Sequence, residues 1–245
     1  MTRLYLIRHG QAFCNVPPLG MVAGPRGDEG LTPLGREQAA RLRDRLAATG
    51  EIAADVLIAS TLPRALQTAE IIRPALGVPI IPDHEVQEMR VGDWDGLPWE
   101  EVKDHWPDHR VTPYQRIGTT GENWGEFTLR IGTALNRIIN EHEGKEIVVV
   151  CHGGVVDASL AVFFGMNTLV PGRAGLLTHN TSITLWMEED VDGFSRRWRL
   201  AKYNDDAHTR DIGAPERLSW VRFTAERAKS EQATAVPMPS EEDSE

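Results

Sequence analysis

Four short stretches carry side chains that could do chemistry together: Arg8-His9-Gly10, Arg64, Glu88 and His152. Taken singly each has an ordinary structural reading. Arg-His-Gly is a turn, an arginine on a helix is solvated, and a histidine between a buried strand and two glycines is a satisfied core residue. Taken together, two imidazoles, two guanidiniums and a carboxyl fit one substrate class, a phosphate monoester. Guanidinium forks match phosphate oxygens with paired, charge-assisted hydrogen bonds. A neutral imidazole can attack phosphorus, forming a covalent intermediate that divides one displacement into two. Charge on the equatorial oxygens needs electrostatic stabilisation throughout. A carboxylic acid can protonate the leaving oxygen and then take the proton of an incoming water.

The elements that must bring these groups together follow from the apolar pattern. Leu4-Tyr5-Leu6-Ile7 is an unbroken apolar run of strand length, as expected of a strand buried on both faces of an α/β sheet. Val56–Ser60 and Glu146–Val150 repeat that pattern, and Val78–Ile81 is a more polar strand expected near an edge. Thr32-Pro33 opens a helix as N-cap and first-turn proline. A second helix runs through Leu66, Ala69, Ile72 and Leu76, a third through Phe127, Ile131, Leu135 and Ile138, and a fourth over Val155–Phe164. Ser182–Met187 and Trp198–Tyr203 read as closing strands joined by an Asp192-Gly193 turn. Alternating strands and helices predict a three-layer α/β/α sandwich with a mostly parallel sheet. In such sheets the ligand crevice lies beyond the carboxyl ends of the strands, where Arg8, His9, Ser60, Glu88 and His152 all fall. A Gly/Pro-rich loop over Phe13–Gly30 lies at that edge, and its length marks it as functional. Residues 88–125, with Trp94, Trp99, Trp106 and Trp124, form a small inserted cap.

The chain of 245 residues, 41% apolar and 25% charged, is long enough for a full core. Residues 1–225 are read as one domain and 226–245, ending Ser-Glu-Glu-Asp-Ser-Glu, as a disordered acidic tail. A net charge of −10 with no long Lys/Arg run argues against a nucleic-acid partner. No segment reaches the length of a membrane span, and the two cysteines, Cys14 and Cys151, imply no disulfide framework, so a cytoplasmic protein is expected. His105 and His109 have the spacing of helical zinc ligands, but Pro107 between them opposes a regular helix. No metal site and no cofactor are expected.

Leu6-Ile7-Arg8-His9-Gly10-Gln11 with Asn15 resembles the signature of the histidine phosphatase superfamily, the phosphoglycerate-mutase-like fold. So do Leu31-Thr32 with Gly35, Gln38 and Ala39, Ser60-Thr61-Leu62-Pro63-Arg64-Ala65-Leu66-Gln67-Thr68-Ala69, Glu88-Met89 with Gly92 and Trp94-Asp95-Gly96, Cys151-His152-Gly153-Gly154, and Asn180. The resemblance runs in order over residues 3–208. It implies that His9 is the phosphorylated nucleophile, that Arg8, Arg64 and His152 bind the phosphoryl group with Asn15 and Gly153 assisting, and that Glu88 is the proton donor. Glu85, Glu100 and Glu122 are the neighbouring carboxylates that compete for that last role.

Two departures bear on activity. Ala12 stands where the family usually has Thr or Ser, and the Val16–Gly30 loop has diverged. Mutases of the family carry a longer insert after the acid, with an Arg-His-Tyr-Gly run that Glu88-Met89-Arg90-Val91-Gly92 lacks. The expectation is therefore a phosphomonoesterase acting on a small phosphorylated metabolite. The alternatives are a bisphosphate-primed phosphoglycerate mutase and, less in keeping with the complete residue set, a non-catalytic binder of phosphorylated ligands. A homodimer is implied by analogy of fold alone.

Overall fold

A computed structural model describes residues 1–16, 19–109, 112–167, 176–190 and 196–212. The Asp192-Gly193 turn, the domain boundary near 225 and the tail from 226 lie outside the described residues. Met1–Ala214 forms one compact unit.

Chain order is β1 (Arg3–Arg8), α1 (Pro33–Thr49), β2 (Val56–Ser60), α2 (Pro63–Leu76), β3 (Ile80–Asp83), α3 (Trp99–Val102), α4 (Trp124–Glu141), β4 (Glu146–Cys151), α5 (Gly153–Phe163), β5 (Ile183–Asp190) and β6 (Arg196–Asp205). The six strands form one sheet in the order β3-β2-β4-β1-β5-β6. The pairs β3-β2, β2-β4 and β4-β1 are parallel, whereas β1-β5 and β5-β6 are antiparallel. β3 is the parallel edge, as its polar composition predicts.

The central run is buried on both faces, with Leu4, Leu6 and Ile7 fully inaccessible. Alternate residues serve opposite layers because successive strand side chains point to opposite sides. Leu4, Leu6, Ile147 and Val149 pack with Phe127, Ile131, Leu135 and Ile138 of α4 and Val155 and Val156 of α5. Tyr5, Ile7, Val148 and Val150 pack with Leu42 and Leu46 of α1 and Ala65, Ala69 and Ile72 of α2. This is the expected α/β/α sandwich.

Helix starts are fixed by side chains. Thr32 Oγ1 accepts the Gly35 N–H at 3.0 Å. Asn123 and Glu126 cap each other's backbone N–H groups at 2.9 and 3.1 Å. α4 thus begins inside the expected cap, which ends at Asn123. The cap itself consists of short turns and α3 around a stack in which Trp106 lies 5.7 Å from Trp94 and 5.0 Å from Trp99, ring centre to ring centre.

Candidate active site

β1 ends in Arg8, and His9 follows as its backbone N–H still bonds the Cys151 carbonyl of β4 at 2.9 Å. The ring is 2% exposed. His9 Nδ1 lies 2.6 Å from the Gly10 carbonyl oxygen. A carbonyl only accepts, so Nδ1 carries the proton. Arg64 Nε donates to His9 Nε2 at 3.2 Å, and a guanidinium only donates, so Nε2 carries the lone pair. The imidazole is neutral, with its free nitrogen against a cation. Burial, then the charges of Arg64 and Arg8, hold its pKa well below the usual histidine range.

Gly10 is required by the packing of the turn. A Cβ there would lie 2.4 Å from the Gly35 carbonyl oxygen, and one on Gly35 would lie 1.9 Å from that of Gln11. The turn after β1 and the start of α1 pack backbone against backbone, a contact only glycine permits. Thr68 Oγ1 receives the Gly10 N–H at 3.0 Å and Asn180 Nδ2 donates to the His9 carbonyl at 2.9 Å, so the turn is held from three sides.

His152 caps α5, its ring centre 5.1 Å from that of His9. Its Nε2 is 2.7 Å from Ser60 Oγ at the end of β2, while Nδ1 is buried with no partner. Its pKa, too, is pushed well down, by burial first and by Arg64 next. Arg8 is 5% exposed. Its NH1 donates to the Thr178 carbonyl, and its Nε is buried with no partner. Gly153 lies beside that Nε, where a Cβ would be 3.6 Å away.

Glu88 reaches the N-terminus of α5, where its Oε2 accepts the Gly154 N–H at 3.1 Å and its Oε1 accepts the Met89 N–H at 3.0 Å. Arg130 of α4 fixes the segment that carries it, donating to the Glu85, Gln87 and Glu88 carbonyls at 2.7, 3.1 and 3.2 Å. Glu122 holds Arg130 in turn at 2.7 Å. The competing carboxylates are engaged elsewhere: Glu122 on Arg130, Glu85 on the half-exposed Arg90, Glu100 on Lys103 in the cap. The structure therefore gathers His9, Arg8, Arg64, His152, Gly153 and Glu88. Asn15 closes the turn after β1, its Oδ1 accepting the Ala12 N–H at 3.4 Å.

Three neighbours of this cluster were missed in the sequence. Asp28 pairs with Arg64 at 2.7 Å, both side chains buried. Thr178 supplies the carbonyl on Arg8. Asp157, one turn along α5 from Gly153, is pushed up to about 7 by burial and by the Glu88 charge. Only Asp157 could have been noticed, as the single charged residue in the apolar helix 153–164. Among the described residues no three His, Cys, Asp or Glu side chains gather as a metal-ligand set.

Residues 4–206 match the model of the histidine phosphatase superfamily, branch 1. A putative phosphoserine phosphatase of Hydrogenobacter thermophilus is 32% identical over 68% of this chain and 80% of its own. A phosphoglycerate mutase-like protein of Arabidopsis thaliana is 29% identical over 86% of this chain and 88% of its own. The crystal structure of mycobacterial glucosyl-3-phosphoglycerate phosphatase superposes with a TM-score of 0.66 at 25% identity, covering 83% of this chain and 98% of that one.

Proposed function

Since the chain belongs to the histidine phosphatase superfamily, we propose that it hydrolyses a small phosphomonoester through a phosphohistidine at His9. The observation that carries this reading is the state of the His9 ring. Its proton is fixed on Nδ1 by the Gly10 carbonyl and its Nε2 lone pair is directed at Arg64.

In the first step the Arg64 Nε–H hydrogen bond passes from His9 Nε2 to a phosphoryl oxygen, the freed Nε2 lone pair attacks phosphorus and the ester P–O bond breaks. Arg64 and Arg8 neutralise the phosphoryl oxygens, and the unpartnered Nδ1 of His152 donates to one of them. Ser60 supports that donor by bonding the other ring nitrogen. Glu88 passes a proton to the leaving oxygen. In the second step Glu88 takes a proton from water, whose oxygen attacks phosphorus. The P–N bond breaks, inorganic phosphate leaves, and His9 is neutral again. Splitting the displacement in two lets one carboxyl serve both as acid and as base.

The phosphatase names among the relatives support hydrolysis. The short 88–123 insert without an Arg-His-Tyr-Gly run supports it over the phosphoglycerate mutase reading. A cytoplasmic location is part of the same proposal, supported by the two free thiols and by the absence, among the described residues, of a helix long and apolar enough to cross a membrane. The test is release of phosphate from an aryl phosphate without added metal, by the wild type and by His9→Ala. Release that falls by at least about 10³-fold in the variant is expected. A wild type that releases none, yet interconverts phosphoglycerates when primed with a bisphosphate, would establish the mutase instead.

A further inference from the structure

Asp28 closes the Gly/Pro-rich loop directly against the reacting groups. Its carboxylate is 1% exposed and its Oδ2 lies 2.7 Å from Arg64 NH1, itself on a side chain 4% exposed. The same oxygen receives the Arg64 backbone N–H at 3.4 Å, while Oδ1 receives that of Gly30 at 2.8 Å. Arg64 in turn donates through Nε to His9 Nε2. Asp28 thus touches the cation that touches the nucleophilic nitrogen. Arg8 is held differently: its NH1 meets a neutral carbonyl and, among the described residues, its Nε has no hydrogen-bond partner. Arg64 is thus paired directly with a buried carboxylate, whereas Arg8 feels the Glu88 and Asp157 carboxylates only beyond hydrogen-bond distance.

We propose that Asp28 is a positioning residue with a second effect, that of weakening the hold of the site on phosphate. It fixes the Arg64 fork beside His9 Nε2, where the guanidinium can pass from the ring nitrogen to a phosphoryl oxygen. Its charge also stands one guanidinium away from any phosphoryl group on that nitrogen, and at such separations in a buried site like charges repel strongly. Two arginines without a directly paired carboxylate would bind substrate, transition state and product phosphate alike, and uniform binding does not raise kcat. With Asp28 present, Arg64 orients the phosphoryl group without retaining the product.

This inference rests on the reading of His9 and Arg64 as the phosphoryl site, and its test separates the two. Inorganic phosphate is titrated calorimetrically into the wild type, Asp28→Asn and Asp28→Glu, and phosphate inhibition and kcat are measured alongside. Asp28→Asn, which removes the charge, is expected to bind phosphate about 3- to 10-fold more tightly while its kcat falls about 10-fold. Phosphate should raise the melting temperature of that variant more than that of the wild type. Asp28→Glu, which keeps the charge, should retain wild-type phosphate affinity. A carboxylate that merely braced the loop would give the opposite result in Asp28→Asn, with weaker binding and a smaller phosphate-induced shift. Unchanged or weaker binding overturns the inference and leaves the site reading intact. No phosphate binding by the wild type overturns the site reading, and the inference with it. If Asp28→Asn does not fold, Asp28→Ser carries the same measurement, since its hydroxyl can still cap Gly30. Failure of both to fold would show a purely structural residue and overturn the proposal.

Discussion

The reactivity of His9 is set by two hydrogen bonds that leave its ring one state. A carbonyl takes the Nδ1 proton and a guanidinium donates to Nε2, so Nε2 carries no proton and the proposed attack needs no adjacent base once Arg64 turns to the phosphoryl oxygens. In the proposed mechanism Glu88 passes the proton to the leaving oxygen. Glu88→Gln should lower kcat about 10²- to 10⁴-fold on an alkyl phosphate, and far less on an aryl phosphate, whose leaving group needs no proton; comparing the two substrates checks this. Asp157 gives a pH prediction whose sign is fixed. Its pKa is raised in the folded protein to about 7, so between the ordinary carboxyl range and that value the folded chain holds a proton the unfolded chain has lost. Stability therefore falls as pH rises through that window and stays reduced above it. Asp157→Asn, which mimics the protonated form, should melt higher than the wild type at pH 8, by roughly 2–4 °C, and about equally near pH 4. The groups written plainly in the sequence were those with distinctive chemistry at strand ends, Arg8, His9, Arg64 and His152. Asp28 was not legible because nothing local separates it from Glu29 or Glu37; only the folded loop brings it to Arg64.

The elements position these groups by backbone contact as much as by side-chain packing. The start of α5 meets Glu88 so closely that a Cβ on Gly154 would lie 2.2 Å from Oε1 and 3.2 Å from the Phe127 ring. Gly154→Ala should push the carboxyl off its backbone N–H and cut kcat on alkyl phosphates about 10- to 100-fold, with a near-wild-type melt, since the far end of Glu88 can move. Gly35→Ala is a different case. The added carbon meets the Gln11 backbone, which cannot move without disturbing β1, so a loss of roughly 2–4 kcal/mol in a denaturant titration is expected. The sheet and its flanking helices were legible because each strand is an apolar run and each helix carries a capped apolar stripe. The cap was legible only as a region without periodicity. Its turns are fixed by long-range polar contacts, such as Asp93 Oδ1 receiving the Thr119 and Thr120 N–H groups at 2.9 and 3.0 Å, and residue order does not encode these.

Across the whole unit, the Gly/Pro-rich loop and the Trp-rich segment after Glu88 are joined to each other. Val22 and Leu97 pair through backbone at 2.9 Å, Gly20 and Trp99 likewise, and Asp95 receives the Arg26 and Gly27 N–H groups at 2.9 and 3.1 Å. Asp28 ties these joined segments to Arg64. The contacts that join them lie between residues roughly 70 to 80 positions apart, which no local pattern announces. With every step assigned to protein side chains, hydrolysis should continue undiminished after exhaustive chelation, and a loss of activity restored by a divalent cation would contradict the residue assignments. The central claim is a covalent bond between phosphorus and His9. It is tested most directly by quenching turnover in alkali and locating the phosphoryl group by mass spectrometry. An acid-labile, alkali-stable phosphoryl group on the peptide containing His9, absent from His9→Ala, is predicted. Continued turnover with His9 unmodified, or a phosphoryl group carried by another residue, would contradict it.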